Sequence, residues 1–144
     1  MSENRKIRAL VFDDDKGLRT FLSRVLERRG YEVIAFEDPS HCSLHVDEKC
    51  ACSHDELCAD LIISDIKMLQ VDGLTFIKSL LGKGCKISPA NILIISGFVT
   101  DAILKETKEI GIETFQKPFT FDKINVWLNE REKNVDLGIG LAKL

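Results

Sequence analysis

Short apolar runs alternate with helix-like patterns along most of the chain. Residues 7–12 are mainly apolar, as in a buried strand, and apolar positions three or four apart follow between residues 18 and 26. Gly30 is placed to end this first helix in a left-handed conformation. The other predicted strands are Tyr31–Phe36, Leu61–Ser64, Asn91–Ile95 and Ile112–Gln116, and the other predicted helices cover about residues 74–81, 100–110 and 120–132.

Strands rich in Ile, Leu and Val that are each followed by a helix predict an α/β fold, doubly wound, with helices on both faces of a parallel sheet. Two segments depart from this alternation. Residues 38–59 carry Pro39 and many Cys, His and acidic residues where a second helix is due. Residues 133–144 form a tail that contains Gly, Leu and Lys. We therefore expect one domain over residues 1–132, with an insert at about 38–59, followed by the tail.

Composition narrows the class of protein. The 144 residues are 44% hydrophobic, which is enough for one core, and 20 Lys+Arg against 23 Asp+Glu give a net charge of −3. This near-balance argues against nucleic-acid binding, which favours an excess of basic residues. The sequence also contains neither a long apolar run nor the apolar core of a signal peptide. We expect a soluble, cytoplasmic protein that contacts neither nucleic acid nor membrane.

Polar side chains stand at the C-terminal ends of four predicted strands, the edge at which doubly wound sheets bind ligands. One such carboxylate is readily explained as a helix cap. Several together favour a hard divalent cation such as Mg²⁺, because clustered carboxylates repel one another and Mg²⁺ prefers oxygen ligands. A hydroxyl and an ammonium then remain to meet phosphoryl oxygens. The residues are Asp13, Asp14 and Asp15 after the first strand, then Asp65, Ser96 and Lys117.

Four segments in this order resemble the receiver domain of two-component response regulators. They are Leu10–Asp15, Asp65–Gly73, Ile94–Gly97 and Lys117–Phe119. The resemblance covers residues 7–132. It implies a five-stranded, flavodoxin-like parallel sheet of order 2-1-3-4-5 and a cis Lys117–Pro118 peptide bond.

The resemblance also implies a role for each matching residue. Asp65 would accept a phosphoryl group from a sensor histidine kinase or a phosphotransfer protein. Lys117 would pair with that phosphoryl group, and Ser96 would be the switch hydroxyl that signals to a downstream protein target. The Mg²⁺ ligands would be Asp13, Asp14, Asp65 and the backbone carbonyl of Lys67.

The sequence departs from the family pattern in three ways. Leu69 and Gln70 stand where Pro-Gly is usual, which we expect to alter the loop and not the ligands. Thr114 occupies the position of the usual switch aromatic, and strand alternation predicts that the neighbouring Phe115 points into the core. The side chain of Lys67 would either lie over the phosphoryl group or point into solvent.

The insert concentrates four of the five cysteines and all three histidines within 18 residues. Thiolate and imidazole are preferred Zn²⁺ ligands, so a structural site is one interpretation, with Cys42, Cys50, Cys52 and Cys58 as ligands. His41, His45 or His54 would serve as substitutes, and an iron–sulfur cluster would use the same thiolates. The competing interpretation is a loop with thiols or one or two disulfides. We expect Cys85 to be a loop or packing thiol.

Two other functions compete with the receiver interpretation. Asp13 and Asp15 also fit the nucleophile and the acid/base of a haloacid-dehalogenase-like phosphatase, with Ser96 and Lys117 in its second and third motifs. That interpretation leaves Asp65 without a role, finds no acidic pair after Lys117, and leaves no room for a cap domain. The second alternative is a metal or redox sensor built on a receiver fold.

Overall fold

The computed structural model describes residues 5–41, 52, 56–68, 72–142 and 144. Four helices in these ranges cover the faces of a sheet, and none is long and apolar enough to cross a membrane. In chain order the elements are β1 (Arg8–Phe12), α1 (Lys16–Arg28), β2 (Glu32–Phe36), a 3₁₀ turn (Pro39–His41), β3 (Glu56–Leu57), β4 (Leu61–Asp65), α2 (Gly73–Gly82), a 3₁₀ turn (Pro89–Asn91), β5 (Ile92–Ser96), α3 (Asp101–Ile110), β6 (Glu113–Gln116), α4 (Phe121–Glu132) and β7 (Gly140–Leu141).

The main sheet has five parallel strands in the order β2-β1-β4-β5-β6. Because β3 lies outside this sheet, the order is the predicted 2-1-3-4-5 when the five long strands are counted alone. The predicted fold class is therefore confirmed. Parallel pairing brings the C-terminal ends of β1, β4, β5 and β6 to one edge, which is where the polar residues stand.

Side chains of the central strands alternate between two cores. Leu10 and Phe12 of β1 pack on the face covered by α2, whose Phe76 and Leu80 are buried there. Val11 lies on the opposite face, in the core that α1 and α4 cover. The continuous apolar strands of the sequence thus reflect burial on both faces.

The helices begin at polar caps that satisfy their first backbone N–H groups. Gly30 has a φ of +87° just after α1, and its N–H donates to Glu27 O at 2.9 Å, so the predicted left-handed ending is confirmed. The four cap residues are Asp15 for α1, Asp72 for α2, Thr100 for α3 and Thr120 for α4.

The C-terminal residues fold back onto the N-terminal edge of the sheet. The short strands β3 and β7 pair in parallel, and Ala142 N donates to Leu57 O at 2.8 Å. Arg8 Nη1 donates to Ala142 O at 2.6 Å. The sequence predicted only a tail here, because a two-residue strand carries no periodic signal.

Candidate functional site

Asp65, the predicted phosphoacceptor, is the last residue of β4, and only 6% of it is exposed. Its Oδ1 accepts a hydrogen bond from Ile66 N at 2.7 Å, and its Oδ2 accepts one from Lys117 Nζ at 3.0 Å. Ser64 Oγ donates to its backbone carbonyl at 2.8 Å. The carboxylate is therefore held at the edge of the sheet by bonds from both sides.

The first residue of α2 packs tightly against Asp65. Gly73 N donates to Ile66 O at 2.7 Å, and a Cβ at Gly73 would lie 1.7 Å from the backbone oxygen of Asp65. Only glycine permits this approach. The Asp72-Gly73 pair thus has two local functions, a helix cap and a close backbone contact beneath Asp65.

Asp13 and Asp14 follow β1 and lie beside Asp65. Asp13 is 1% exposed, and its Oδ1 accepts from Asp15 N at 2.8 Å while its Oδ2 accepts from Lys117 Nζ at 3.1 Å. Asp14 is exposed. Each of the three residues offers a carboxylate oxygen within 4.8 Å of the others.

Among the described residues, one ammonium, that of Lys117, bonds to this carboxylate cluster. Burial raises the pKa of Asp13, and the charge of Asp65 adds to this, while the bonds from Asp15 N and Lys117 oppose it. Burial acts to lower the pKa of Lys117, but its bond to Asp65 and the charge of Asp13 outweigh burial and raise that pKa. The three described carboxylates, taken as ionised, and the one ammonium bonded to them sum to two negative charges, which suits an oxygen-liganded dication.

Ser96 ends β5 with its hydroxyl engaged in the following loop. Its Oγ donates to Phe98 O and accepts from Phe98 N, both at 3.2 Å. The backbone joins this strand end to the lysine, because Lys117 N donates to Ser96 O at 2.7 Å. Phe98 itself is 66% exposed. The Lys117–Pro118 bond is cis, as the resemblance implied.

The structure describes some of the positions at which the sequence differs from the family pattern, together with their neighbours. Phe115 is buried in the core, which confirms that part of the prediction. Thr114 donates from Oγ1 to Thr107 Oγ1 at 3.0 Å and so contacts α3. Lys67 is exposed, and Leu69 and Gln70 lie outside the described residues. Sequence reasoning missed Arg19, whose Nη1 donates to Asp13 O at 2.8 Å from α1.

The cysteine–histidine insert lies mostly outside the described residues, including Cys42, Cys50, His45, His54 and the side chain of His41. Two of the four proposed thiolate ligands, Cys52 and Cys58, are described. They lie together with Cys85, whose sulfur is 3.9 Å and 3.5 Å from theirs. Cys85 lies in a loop and packs against the core, as predicted, and it also belongs to a cluster of three thiols.

The geometry does not favour the phosphatase alternative. Asp15, its acid/base, caps α1, and its Oδ1 accepts from Gly17 N at 2.8 Å and Leu18 N at 3.2 Å. Asp65, which that alternative leaves without a role, is instead central to the cluster.

Residues 9–129 match the response regulator receiver domain family. The chain is 29% identical over 125 residues to sporulation initiation phosphotransferase F of Bacillus subtilis, covering 84% of this chain and 88% of that protein. It is 27% identical over 112 residues to the chemotaxis protein CheY of Listeria monocytogenes, covering 76% and 88%. A 67-residue match at 37% identity to the sensor kinase/phosphatase CqsS of Vibrio cholerae covers 46% of this chain and 9% of that protein.

Solved structures show the same fold. The non-phosphorylated HemR receiver domain from Leptospira biflexa superposes with a TM-score of 0.72 at 20% identity, covering 88% of this chain and 94% of that one. With the family match over residues 9–129, the chain belongs to the response regulator receiver domain family.

Proposed function

We propose that this chain is a phosphoacceptor signalling protein in which Asp65 takes a phosphoryl group from a sensor histidine kinase or a phosphotransfer protein. The chain is then itself the acceptor in the transfer and turns over no separate substrate. Its output is contact with a downstream protein target. We place it in the cytoplasm, where cysteine thiols such as those of the insert remain reduced.

The observation that carries this proposal is the position of Lys117 between two buried carboxylates. Its Nζ lies 3.0 Å from Asp65 Oδ2 and 3.1 Å from Asp13 Oδ2. The ammonium is thus beside the carboxylate that would react and does not need to travel to meet charge that develops there.

The transfer step uses the Asp65 carboxylate as the nucleophile. One carboxylate oxygen forms a bond to phosphorus, the N–P bond of the donor phosphohistidine breaks, and its electron pair stays on the imidazole nitrogen. Asp65 becomes an acyl phosphate, and its lost carboxylate charge is replaced by charge on the phosphoryl oxygens. Lys117 offsets that charge, and Asp13 holds Lys117 in place throughout.

Acidic residues of receiver domains bind Mg²⁺, and the carboxylate cluster of this chain has the donors and the charge for it. We assign the ion to Asp13, Asp14, Asp65 and the backbone carbonyl of Lys67. When bound, Mg²⁺ supplies positive charge that offsets the developing charge of the phosphoryl oxygens. Asp14 is the exposed carboxylate of the set, which suits a ligand that also meets the water shell Mg²⁺ retains.

Ser96 carries the signal away from the site in this proposal. Its hydroxyl exchanges two bonds to the Phe98 backbone for one to a phosphoryl oxygen, so the loop that carries exposed Phe98 is released when Asp65 is modified. Because Thr114 takes the place of the usual switch aromatic, the second part of the signal passes through its bond to Thr107 on α3.

The test is phosphorylation by acetyl phosphate in the presence of Mg²⁺, with the modified residue located by mass spectrometry. We expect one phosphoryl group on Asp65, none in Asp65→Asn, and wild-type labelling in Asp101→Asn, which changes an exposed aspartate in the first turn of α3. Label on Asp13, turnover of a phosphatase substrate, or absence of label from a folded wild-type protein would each contradict the proposal.

A further inference from the structure

Three cysteine sulfurs converge at the N-terminal edge of the sheet, opposite the edge that carries Asp65. Cys52 precedes β3, Cys58 follows it, and Cys85 lies in the loop after α2. Each offers a sulfur within 4.8 Å of the other two. Cys58 is fully buried, and the other two are partly buried against the same core.

The sulfur spacing matches that of a metal–thiolate site. Zn²⁺ binds thiolate at about 2.3 Å, so two sulfurs of one tetrahedral ion lie about 3.8 Å apart. The Cys58–Cys85 and Cys52–Cys85 separations are 3.5 Å and 3.9 Å. Both are far longer than the disulfide bond length of about 2.0 Å. The spacing therefore allows one metal ion to bind all three sulfurs.

Polar groups of the chain lie beside the thiol cluster. Cys58 N donates a hydrogen bond to Cys52 Sγ at 3.2 Å, so a backbone donor already points at one of the three sulfurs. Arg8 Nη1 donates to Cys58 O at 3.1 Å, so a guanidinium lies beside the cluster. Three thiolates and one Zn²⁺ would carry one negative charge in total, and Arg8, which also pairs with Glu32 Oε1 at 3.4 Å, supplies positive charge near it.

We propose that Cys52, Cys58 and Cys85 bind one Zn²⁺ as thiolates, which makes a second ion site separate from the carboxylate site. Binding displaces the thiol protons to solvent. The ligand set differs from the one predicted from the sequence, because Cys85 joins it from more than 25 positions along the chain. One position of a tetrahedral ion remains for water or a further donor.

The proposed site is also tied to the C-terminal strand. Arg8 Nη1, which contacts Cys58 O, donates to Ala142 O as well, and Ala142 N bonds to Leu57 O beside Cys58. An ion that orders Cys58 therefore also stabilises the β3–β7 pairing.

The test uses the reduced, metal-stripped chain in excess Mg²⁺, which occupies the carboxylate site. We expect one equivalent of Co²⁺ to produce thiolate-to-cobalt charge-transfer absorption with the intense visible bands of a tetrahedral ion, and one equivalent of Zn²⁺ to remove both. Zn²⁺ is also expected to raise the melting temperature of the wild-type chain. Absence of thiolate charge transfer, or a Cys58–Cys85 disulfide that persists with equimolar Zn²⁺ under reducing conditions, would overturn the proposal.

Variants separate ligation from packing. Cys85→Ser and Cys52→Ser, at partly buried positions, should weaken Zn²⁺ binding by more than about 100-fold and abolish the thermal shift. Ile87→Val, a packing change two residues from Cys85, should leave binding at the wild-type level. Wild-type Zn²⁺ affinity in folded Cys85→Ser would contradict the assignment.

The proposed phosphorylation of Asp65 and the proposed Zn²⁺ site can be tested independently of each other. Asp65→Asn should bind Zn²⁺ as the wild type does, and Cys85→Ser should still accept a phosphoryl group from acetyl phosphate. Loss of thiolate charge transfer in folded Asp65→Asn would show that the cobalt site is not separate from the carboxylate site, and would overturn the second ion site alone.

Discussion

Asp13 illustrates how single residues set the charge balance of the site. It is buried beside Asp65, and the only described ammonium bonded to either carboxylate is that of Lys117. Its pKa is raised because burial and the Asp65 charge disfavour its carboxylate form. At neutral pH and with no cation bound, keeping Asp13 ionised therefore lowers the free energy of unfolding of the chain.

Asp13→Asn should consequently raise the metal-free unfolding free energy at pH 7, by about 1 kcal/mol, while weakening Mg²⁺ binding. Denaturant unfolding with and without Mg²⁺ measures both effects. Asp14→Asn is the matched control, because its exposed carboxylate should change Mg²⁺ binding with a smaller effect on metal-free stability. A destabilised Asp13→Asn chain would show that the bonds from Asp15 and Lys117 outweigh the repulsion.

Gly73 is a second residue that the site requires. A Cβ there would meet Asp65 O at 1.7 Å and Ser64 Oγ at 2.8 Å, so Gly73→Ala must displace the backbone of Asp65, the proposed phosphoacceptor. We expect a loss of about 3 kcal/mol in unfolding free energy and strongly reduced acetyl phosphate labelling. Gly82→Ala is the control in the same helix, since nothing lies within 4 Å of its added Cβ, and it should stabilise the chain by about 0.5 kcal/mol. Equal behaviour of the two variants would contradict this account.

At the scale of elements, α1 and α4 are joined at their C-terminal ends by one carboxylate. Glu132 Oε1 accepts from Arg29 Nε at 2.6 Å and from the Tyr31 hydroxyl. Burial acts to raise the pKa of Glu132, but the bonds from Arg29 and Tyr31 outweigh it and lower that pKa below its ordinary value of 4.5. An acid with a lowered folded pKa stabilises the fold above its unfolded pKa, and this stabilisation is lost as pH falls through the folded value.

Glu132→Gln should therefore lower the unfolding free energy by about 1 kcal/mol at pH 7, and the difference from wild type should shrink below pH 4.5. Unfolding curves measured from pH 7 to pH 3 test this. Glu130→Gln changes an exposed carboxylate 3.5 Å from Lys133, and it should differ little from wild type at any pH. A Glu132→Gln difference that stays constant across this range would show a packing effect instead of a charge effect.

Two hydroxyls join β6 to α3. Thr114 Oγ1 donates to Thr107 Oγ1, which in turn donates to Leu104 O at 3.1 Å. Thr107→Val and Thr114→Val should each cost about 1 kcal/mol, and the double variant should cost less than the sum, because the shared bond is lost only once. Additive losses in denaturant unfolding would indicate that the bond contributes nothing. If the signal passes through this bond, Thr114→Val should also alter target contact without changing Asp65 labelling.

At the scale of the whole molecule, the sequence predicted what local patterns encode. Strands such as β4 and β5 are continuous apolar runs, and α4 begins within one residue of its predicted start, because burial and capping leave a direct signal. The convergence of Asp13, Asp65 and Lys117 followed from the parallel sheet, since it aligns strand ends. The sharing of one ammonium by two carboxylates did not follow, because it depends on side-chain reach.

Contacts between distant, short segments were not predictable. The β3–β7 pair joins two-residue strands more than 80 positions apart, and neither strand has a period that a pattern can show. Cys85 joins Cys52 and Cys58 only because α2 returns the chain to the N-terminal edge of the sheet. Both features are consequences of the tertiary fold and not of local composition.

Asp60 joins residues at the N-terminal edge of the main sheet through hydrogen bonds. Loss of its carboxylate should destabilise the pairing of β7. Its two carboxylate oxygens accept from Arg5 Nη1 at 2.7 Å and Nη2 at 3.0 Å, and Oδ2 also accepts from Arg8 N at 2.8 Å. Arg5 also donates from Nε to Ile139 O at 2.6 Å, so the pair connects the start of β1 to the approach to β7. The carboxylate is buried, and replacing it removes the bidentate hydrogen-bond partner of the Arg5 guanidinium.

Asp60→Asn should lower the unfolding free energy by about 3 kcal/mol and speed hydrogen exchange at Ala142 N, which bonds to Leu57 O. Arg5→Lys keeps the positive charge but cannot make the two parallel hydrogen bonds to the Asp60 carboxylate. Hydrogen exchange at Ala142 N in this variant should therefore be faster than in the wild type and slower than in Asp60→Asn. Glu130→Gln, at a surface pair, should exchange at Ala142 as the wild type does. Exchange at Ala142 that is unchanged in Asp60→Asn, with exchange accelerated elsewhere, would mean that β7 is held by its strand pairing and Arg8 alone.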